Sequence, residues 1–61
     1  MTDPTYETLE TMDTLGGSFV QALVALYHVA DTHHREILLE AFASIFAEYA
    51  ELAALRKGHH G

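Results

Sequence analysis

The side chains able to do chemistry in this 61-residue chain are five histidines, nine carboxylates and two serines, with no cysteine. The missing thiol removes disulfides, cysteine nucleophiles and Cys-type zinc sites together. His28 closes one apolar run, His33 and His34 open the next, and His59 and His60 sit close to the last residue. His33 and Glu36 stand three apart, and Glu36 and Glu40 four apart, so each pair shares a helix face. A di-metal bundle needs inward glutamates with a Glu-x-x-His pair. Here the order is His-x-x-Glu, and neither glutamate falls on the apolar seam of its segment. These residues read as the solvated start of a helix, and no metal or cofactor is expected. A small bundle binding metal through His33, His34 and Glu36 is kept as a third functional class.

Nucleophilic catalysis finds little support. Neither Ser18 nor Ser44 has a histidine and a carboxylate at helical spacing to activate it. Gly16-Gly17 lacks the following Lys-Ser/Thr of a phosphate-binding loop. The expectation is that the chain is not an enzyme.

Charge is more informative. With nine acidic and three basic side chains the formal charge is −6, which argues against direct contact with nucleic acid, because phosphate binding depends on clustered Lys and Arg. No basic residue precedes Arg35, whereas Glu7, Glu10 and Asp13 recur every third position. Glu36, Glu40, Glu48 and Glu51 share the face opposite the seam of the second apolar segment, with Ser44 completing the row. One reading is a negative surface that imitates spaced phosphates for a basic groove on another protein. The other is the ordinary polar face of an amphipathic helix, favoured because −6 is acidic without being extreme. No stretch reaches the ~18 apolar residues of a membrane span. Met1-Thr2-Asp3-Pro4 lacks a signal-peptide layout, so the expected location is the cytoplasm.

The elements that position these groups follow from apolar periodicity. The chain reads as a single helical domain, 1–61, with a flexible leader at 1–5. Leu9, Met12, Gly16, Phe19, Leu23, Leu26 and Ala30 alternate steps of three and four, the repeat of a helix seam rather than a strand. Helix 1 is expected over about 6–30. Its weak point is Gly16-Gly17-Ser18, since each glycine costs ~1 kcal/mol inside a helix. A break at 16–18 with Ser18 as N-cap is the alternative. The preserved phase favours a continuous helix, with Gly16 at a place where another backbone comes close. Asp31 or Thr32 caps the next helix. Leu38, Phe42, Ile45, Tyr49, Leu52 and Arg56 repeat the four–three pattern, so helix 2 is expected over 32–57. Gly58 follows as its stop, with a tail at 58–61.

Two such helices form an antiparallel hairpin. Their apolar arcs exceed what one partner helix can cover, and so short a chain buries barely enough to offset its ordering entropy. The fold class is therefore all-α, a two-helix hairpin dimerising into a four-helix bundle. The expected dimer and core residues are Phe19, Leu23, Leu26, Leu38, Phe42, Ile45, Phe46, Tyr49 and Leu52. Tyr6 is the aromatic expected to stay exposed. With Glu7, Glu10 and Asp13 it is the expected contact for a partner protein, because these polar side chains are the ones the fold needs least.

The run Leu15-Gly16-Gly17-Ser18-Phe19-Val20-Gln21-Ala22-Leu23, then Tyr27-His28-Val29-Ala30-Asp31, then Ala41-Phe42 with Phe46-Ala47-Glu48-Tyr49, resembles small proteins encoded by phages and prophages. The likeness spans about residues 15–50 and lies in packing and capping residues, so no site residue is carried over. It implies an accessory protein, a class that commonly inhibits host machinery, including anti-CRISPR and other anti-defence factors. The function expected is a homodimeric inhibitor that occludes a host protein or defence complex. A structural or regulatory tethering module is the alternative.

Overall fold

A computed structural model describes residues 4–58, with side chains described through Arg56. The described residues form four helices, α1 (Tyr6–Leu15), α2 (Ser18–Val29), α3 (Thr32–Ala41) and α4 (Ala43–Gly58). The all-helical class is therefore observed, and the two-rod hairpin is corrected, because each expected rod is divided in two.

The first division falls at Gly16-Gly17. Gly16 leaves the helix with φ −75° and ψ 154° while its N–H still donates to the Met12 carbonyl at 2.9 Å. Gly17, at φ −78° and ψ −170°, is the N-cap of α2 and supplies no side-chain hydrogen bond. The continuous helix over 6–30 is thus overturned in favour of the alternative break at 16–18, with the difference that Ser18 is the first helical residue and Gly17 the N-cap. The close approach inferred for Gly16 does exist, but within the turn. A Cβ there would collide with the Met12 carbonyl oxygen and lie 2.5 Å from the Val20 side chain.

The second division falls at Phe42, which sits at φ −117° and ψ 31° between α3 and α4. No glycine or proline marks it. The Phe42 ring meets the Phe19 ring edge-on at 5.8 Å, so a tertiary contact holds the residue where the helix direction changes. The single helix over 32–57 is corrected accordingly. Its expected stop moves as well, because α4 includes Gly58.

Local signals decided the other ends. Thr5, placed in the leader, is the N-cap of α1 and accepts the Thr8 N–H at 3.2 Å. Asp31 caps α3 and accepts the His34 N–H at 2.8 Å. The leader residues 1–3 and the tail residues 59–61, His59 and His60 included, lie outside the described residues.

α1 packs along α4 and against α2, and α3 packs against α4. Met12 is completely buried, with Leu23, Val24, Tyr27, Leu39 and Phe46 around it. Leu9, Val20, Leu38, Phe42, Ile45 and Tyr49 close the core while half-buried. Of the nine expected core residues, Leu23 and Phe46 are buried. Leu38, Phe42, Ile45, Tyr49 and Leu52 are half-buried, and Phe19 and Leu26 lie outside the core. The four-helix fold hides part of the apolar surplus that the hairpin would have left bare. Tyr27 and Phe46, for example, pack on each other with ring centres 6.0 Å apart.

Two threonines of α1 are buried, and one of them, Thr11, joins α1 to the C-terminal end of α4. Thr11 Oγ1 donates to the Glu7 carbonyl at 2.7 Å and accepts from Arg56 Nη1 at 3.1 Å. Thr8 Oγ1 lies 3.0 Å from Thr5 Oγ1. Their polar atoms therefore remain hydrogen-bonded inside the fold.

Candidate partner-binding site

Because the chain turns at Gly16-Gly17, α2 runs back against α1 and a groove of about 520 Å³ opens between them. Tyr6, Leu9, Glu10, Asp13 and Thr14 form one wall, and Gln21, Val24, Ala25 and His28 form the other. The Tyr6 hydroxyl donates to Glu10 Oε2 at 3.3 Å, which sets the ring and the carboxylate side by side at the rim. Tyr6 is 75 % exposed. Gln21 Nε2 donates to the Asp13 carbonyl at 3.0 Å and ties the two walls near the turn. The floor is apolar, from Leu9, Val24 and Ala25, and the lip is acidic. That combination fits a cationic side chain with an apolar stem, whose head meets the carboxylates while its methylenes cover the floor.

Three of the four expected contact residues, Tyr6, Glu10 and Asp13, thus line one groove. Glu7 is exposed but lies outside it. His28, Gln21, Val24 and Ala25 were not foreseen there. Along a continuous helix His28 would stand about 22 Å from Asp13, at 1.5 Å per residue. Only the turn brings them to the same groove, and no periodicity reveals it.

At the other end of α2 a second groove, about 390 Å³, is lined by Leu26, Val29, Ala30, Asp31, His34, Ile37 and Leu38. Arg35 stitches this corner together. Its Nε donates to the Tyr27 carbonyl at 3.0 Å and Nη2 to the His28 carbonyl at 3.4 Å. Its guanidinium carbon lies 4.6 Å from the centre of the Tyr27 ring. A cation is thereby set on carbonyls at the end of α2, where the helix dipole is negative. The neighbouring Asp31 takes the His34 backbone N–H and, at 2.8 Å, His34 Nδ1. These two hydrogen bonds hold its carboxyl below the usual carboxylate range.

The His33 and His34 rings meet edge-on at 5.5 Å, and His34 is turned to Asp31. Among the described residues no three His, Cys, Asp or Glu side chains gather in a way that could hold a metal ion, so His33, His34 and Glu36 are not brought together as a ligand set. The acidic row Glu36, Glu40, Glu48 and Glu51 is exposed, but the bend at Phe42 splits it between two helices. No helix of the described residues is long and apolar enough to cross a membrane. In comparisons with known proteins, no family model, no curated protein and no solved structure matches this chain.

Proposed function

We propose that this chain is a binding protein without catalytic activity, an accessory protein of phage type. It seats on a host protein, of the kind found in CRISPR and other defence complexes, and blocks it by steric occlusion in the host cytoplasm. One observation carries the reading. The α1–α2 groove sets Tyr6, Glu10 and Asp13 above an apolar floor of Leu9, Val24 and Ala25, a shape and charge suited to a basic segment of a partner. Charged groups at such a rim steer the encounter and exclude like-charged competitors. The net charge of −6 adds a long-range attraction to basic surfaces.

The test is capture of partners from host lysate with tagged protein, then titration of the identified partner by calorimetry. Glu10→Lys combined with Asp13→Lys is expected to weaken binding about tenfold or more, with an unchanged far-UV circular dichroism spectrum. Undiminished binding by that double variant refutes the acidic-groove mechanism. A tethering module without inhibitory activity is the second reading, favoured by the exposed Phe19, Leu26 and Val29 on α2, a helix that contains no Asp, Glu, Lys or Arg.

A further inference from the structure

Four large apolar side chains remain largely exposed, three on α2, where the Phe19 ring touches the core only at the edge of Phe42, and one in the middle of α3. Phe19 is 60 %, Leu26 51 %, Val29 81 % and Ile37 50 % exposed. Three of them belong to a regular pattern. Phe19, Ala22, Leu26 and Val29 step by three, four and three, a second helix seam on α2 beside the one that faces the core. With about 100° per residue, this stripe and the groove-facing residues Gln21, Val24, Ala25 and His28 are centred about 130° apart around the helix. The two surfaces are therefore separate.

The charge distribution identifies what can cover the stripe. Each of the other helices carries acidic side chains, Glu7, Glu10 and Asp13 on α1, Glu36 and Glu40 on α3, Glu48 and Glu51 on α4. Ser18–Val29 contains no Asp, Glu, Lys or Arg at all. In a chain of net charge −6, α2 is the one helix without carboxylates, and the carboxylate that shares the groove of Leu26, Val29 and Ile37, Asp31, is held by His34, so a second copy can approach along α2 with little repulsion. A basic partner finds no counter-charge there. Ala22, in mid-stripe, also lets two helix backbones come close.

We propose that the α2 stripe, extended by Ile37, is the docking surface for a second copy of this chain, packed as antiparallel α2 helices about a two-fold axis. Such an interface is isologous, so the same uncharged stripe serves both protomers. α2 has 12 residues and is about 18 Å long. The interface accordingly falls at the small end of specific interfaces, and the dimer dissociates on dilution. The α1–α2 grooves stay open in this dimer. On the partner-binding reading, the assembly then offers two grooves and gains avidity for a target that presents two basic segments.

Sedimentation equilibrium across micromolar to millimolar concentrations is expected to show a reversible monomer–dimer transition. Leu26→Glu places two carboxylates in the uncharged seam. It is expected to weaken the dimer about tenfold or more with an unchanged circular dichroism spectrum, since Leu26 is outside the core. The chain has no cysteine, so Ala22→Cys is expected to form an interchain disulfide far faster than Glu48→Cys. The Glu10→Lys and Asp13→Lys double variant is expected to dimerise like the parent, which separates failure of the groove reading from failure of this one. A parent chain that stays monomeric at every concentration overturns the proposal. So does a Leu26→Glu variant that dimerises normally, or an Ala22→Cys variant that cross-links no faster than the control. A monomeric chain whose partner is lost on Leu26→Glu substitution assigns the stripe to that partner and equally overturns it.

Discussion

Adjacent glycines at 16 and 17 are expected to respond to substitution with opposite signs. At Gly16 the backbone dihedrals suit any residue, so the restriction is one of space. A Cβ would collide with the Met12 carbonyl oxygen, which already accepts the Gly16 N–H, and would crowd the Cβ and Cγ1 of Val20. Neither neighbour yields cheaply, because one is helix backbone and the other a β-branched side chain held in one rotamer. Gly16→Ala gains about 0.4–1 kcal/mol from a less flexible unfolded chain. Against this stands an overpacking cost of about 1–3 kcal/mol. The net is a destabilisation of about 1–2 kcal/mol, or a melting temperature lower by roughly 5–15 °C in a domain of this size. At Gly17 nothing lies within 4 Å of an added Cβ, and the N-cap of α2 lacks a side-chain acceptor. Gly17→Ser keeps the unfolded-state gain and adds a few tenths of a kcal/mol from capping. Its melting temperature is expected to rise by about 3–6 °C. Thermal and urea denaturation followed by circular dichroism, at one fixed protein concentration, read both effects. A continuous helix would instead make alanine stabilising by about 1 kcal/mol at each position. A neutral or stabilised Gly16→Ala variant refutes the close-approach argument and with it the account of how the groove is formed.

Three further outcomes are expected. Arg35→Ala should lower stability by about 1.5–3 kcal/mol through lost charge-assisted bonds to the Tyr27 and His28 carbonyls. Arg35→Lys should recover little of this, since an ammonium cannot span both carbonyls and stack on Tyr27, as urea denaturation will register. Asp31 has a folded-state pKa below its unfolded value, so its contribution is present above the ordinary carboxylate pKa of ~3.9 and is lost as pH falls through the lower folded value. The parent should therefore lose stability on acidification below that range more steeply than Asp31→Asn, measured by melting temperature against pH. Partner binding should weaken as salt is raised, because the carboxylates at the groove rim are solvent-exposed and screened; calorimetry at several ionic strengths reads this, and salt-independent binding would move the contact away from Glu10 and Asp13.

Most of what can be read from neighbouring residues was readable here. Asp31 as a cap, the turn near residue 30 and the exposed Tyr6 were expected from the sequence, whereas Thr5, placed in the leader, was missed as the cap of α1 although its bond to the Thr8 N–H spans only three positions. Glu10 and Asp13, singled out from their spacing and the absence of any core role, do line one groove. Their opposite wall was not, because His28 and Gln21 become neighbours only after the chain has folded back.

The sequence by itself determined that this protein is helical, that Asp31 caps the helix after the turn near residue 30, and that its apolar residues outnumber the places in a narrow seam. The tertiary structure decided where the rods divide and which apolar stripe faces inward. The glycines at 16 and 17 allowed a break that the unbroken heptad phase argued against, whereas Phe42 carries no local breaker and its division goes with a contact between residues far apart, Phe19 with Phe42. On α2 two seams of similar spacing compete. Leu23, Val24 and Tyr27 go in while Phe19, Leu26 and Val29 stay out, a choice made by how α1 and α4 pack rather than by anything within α2 itself. Caps are short-range and nearly independent of context, whereas the inward face of a helix is set by the summed packing of every helix around it.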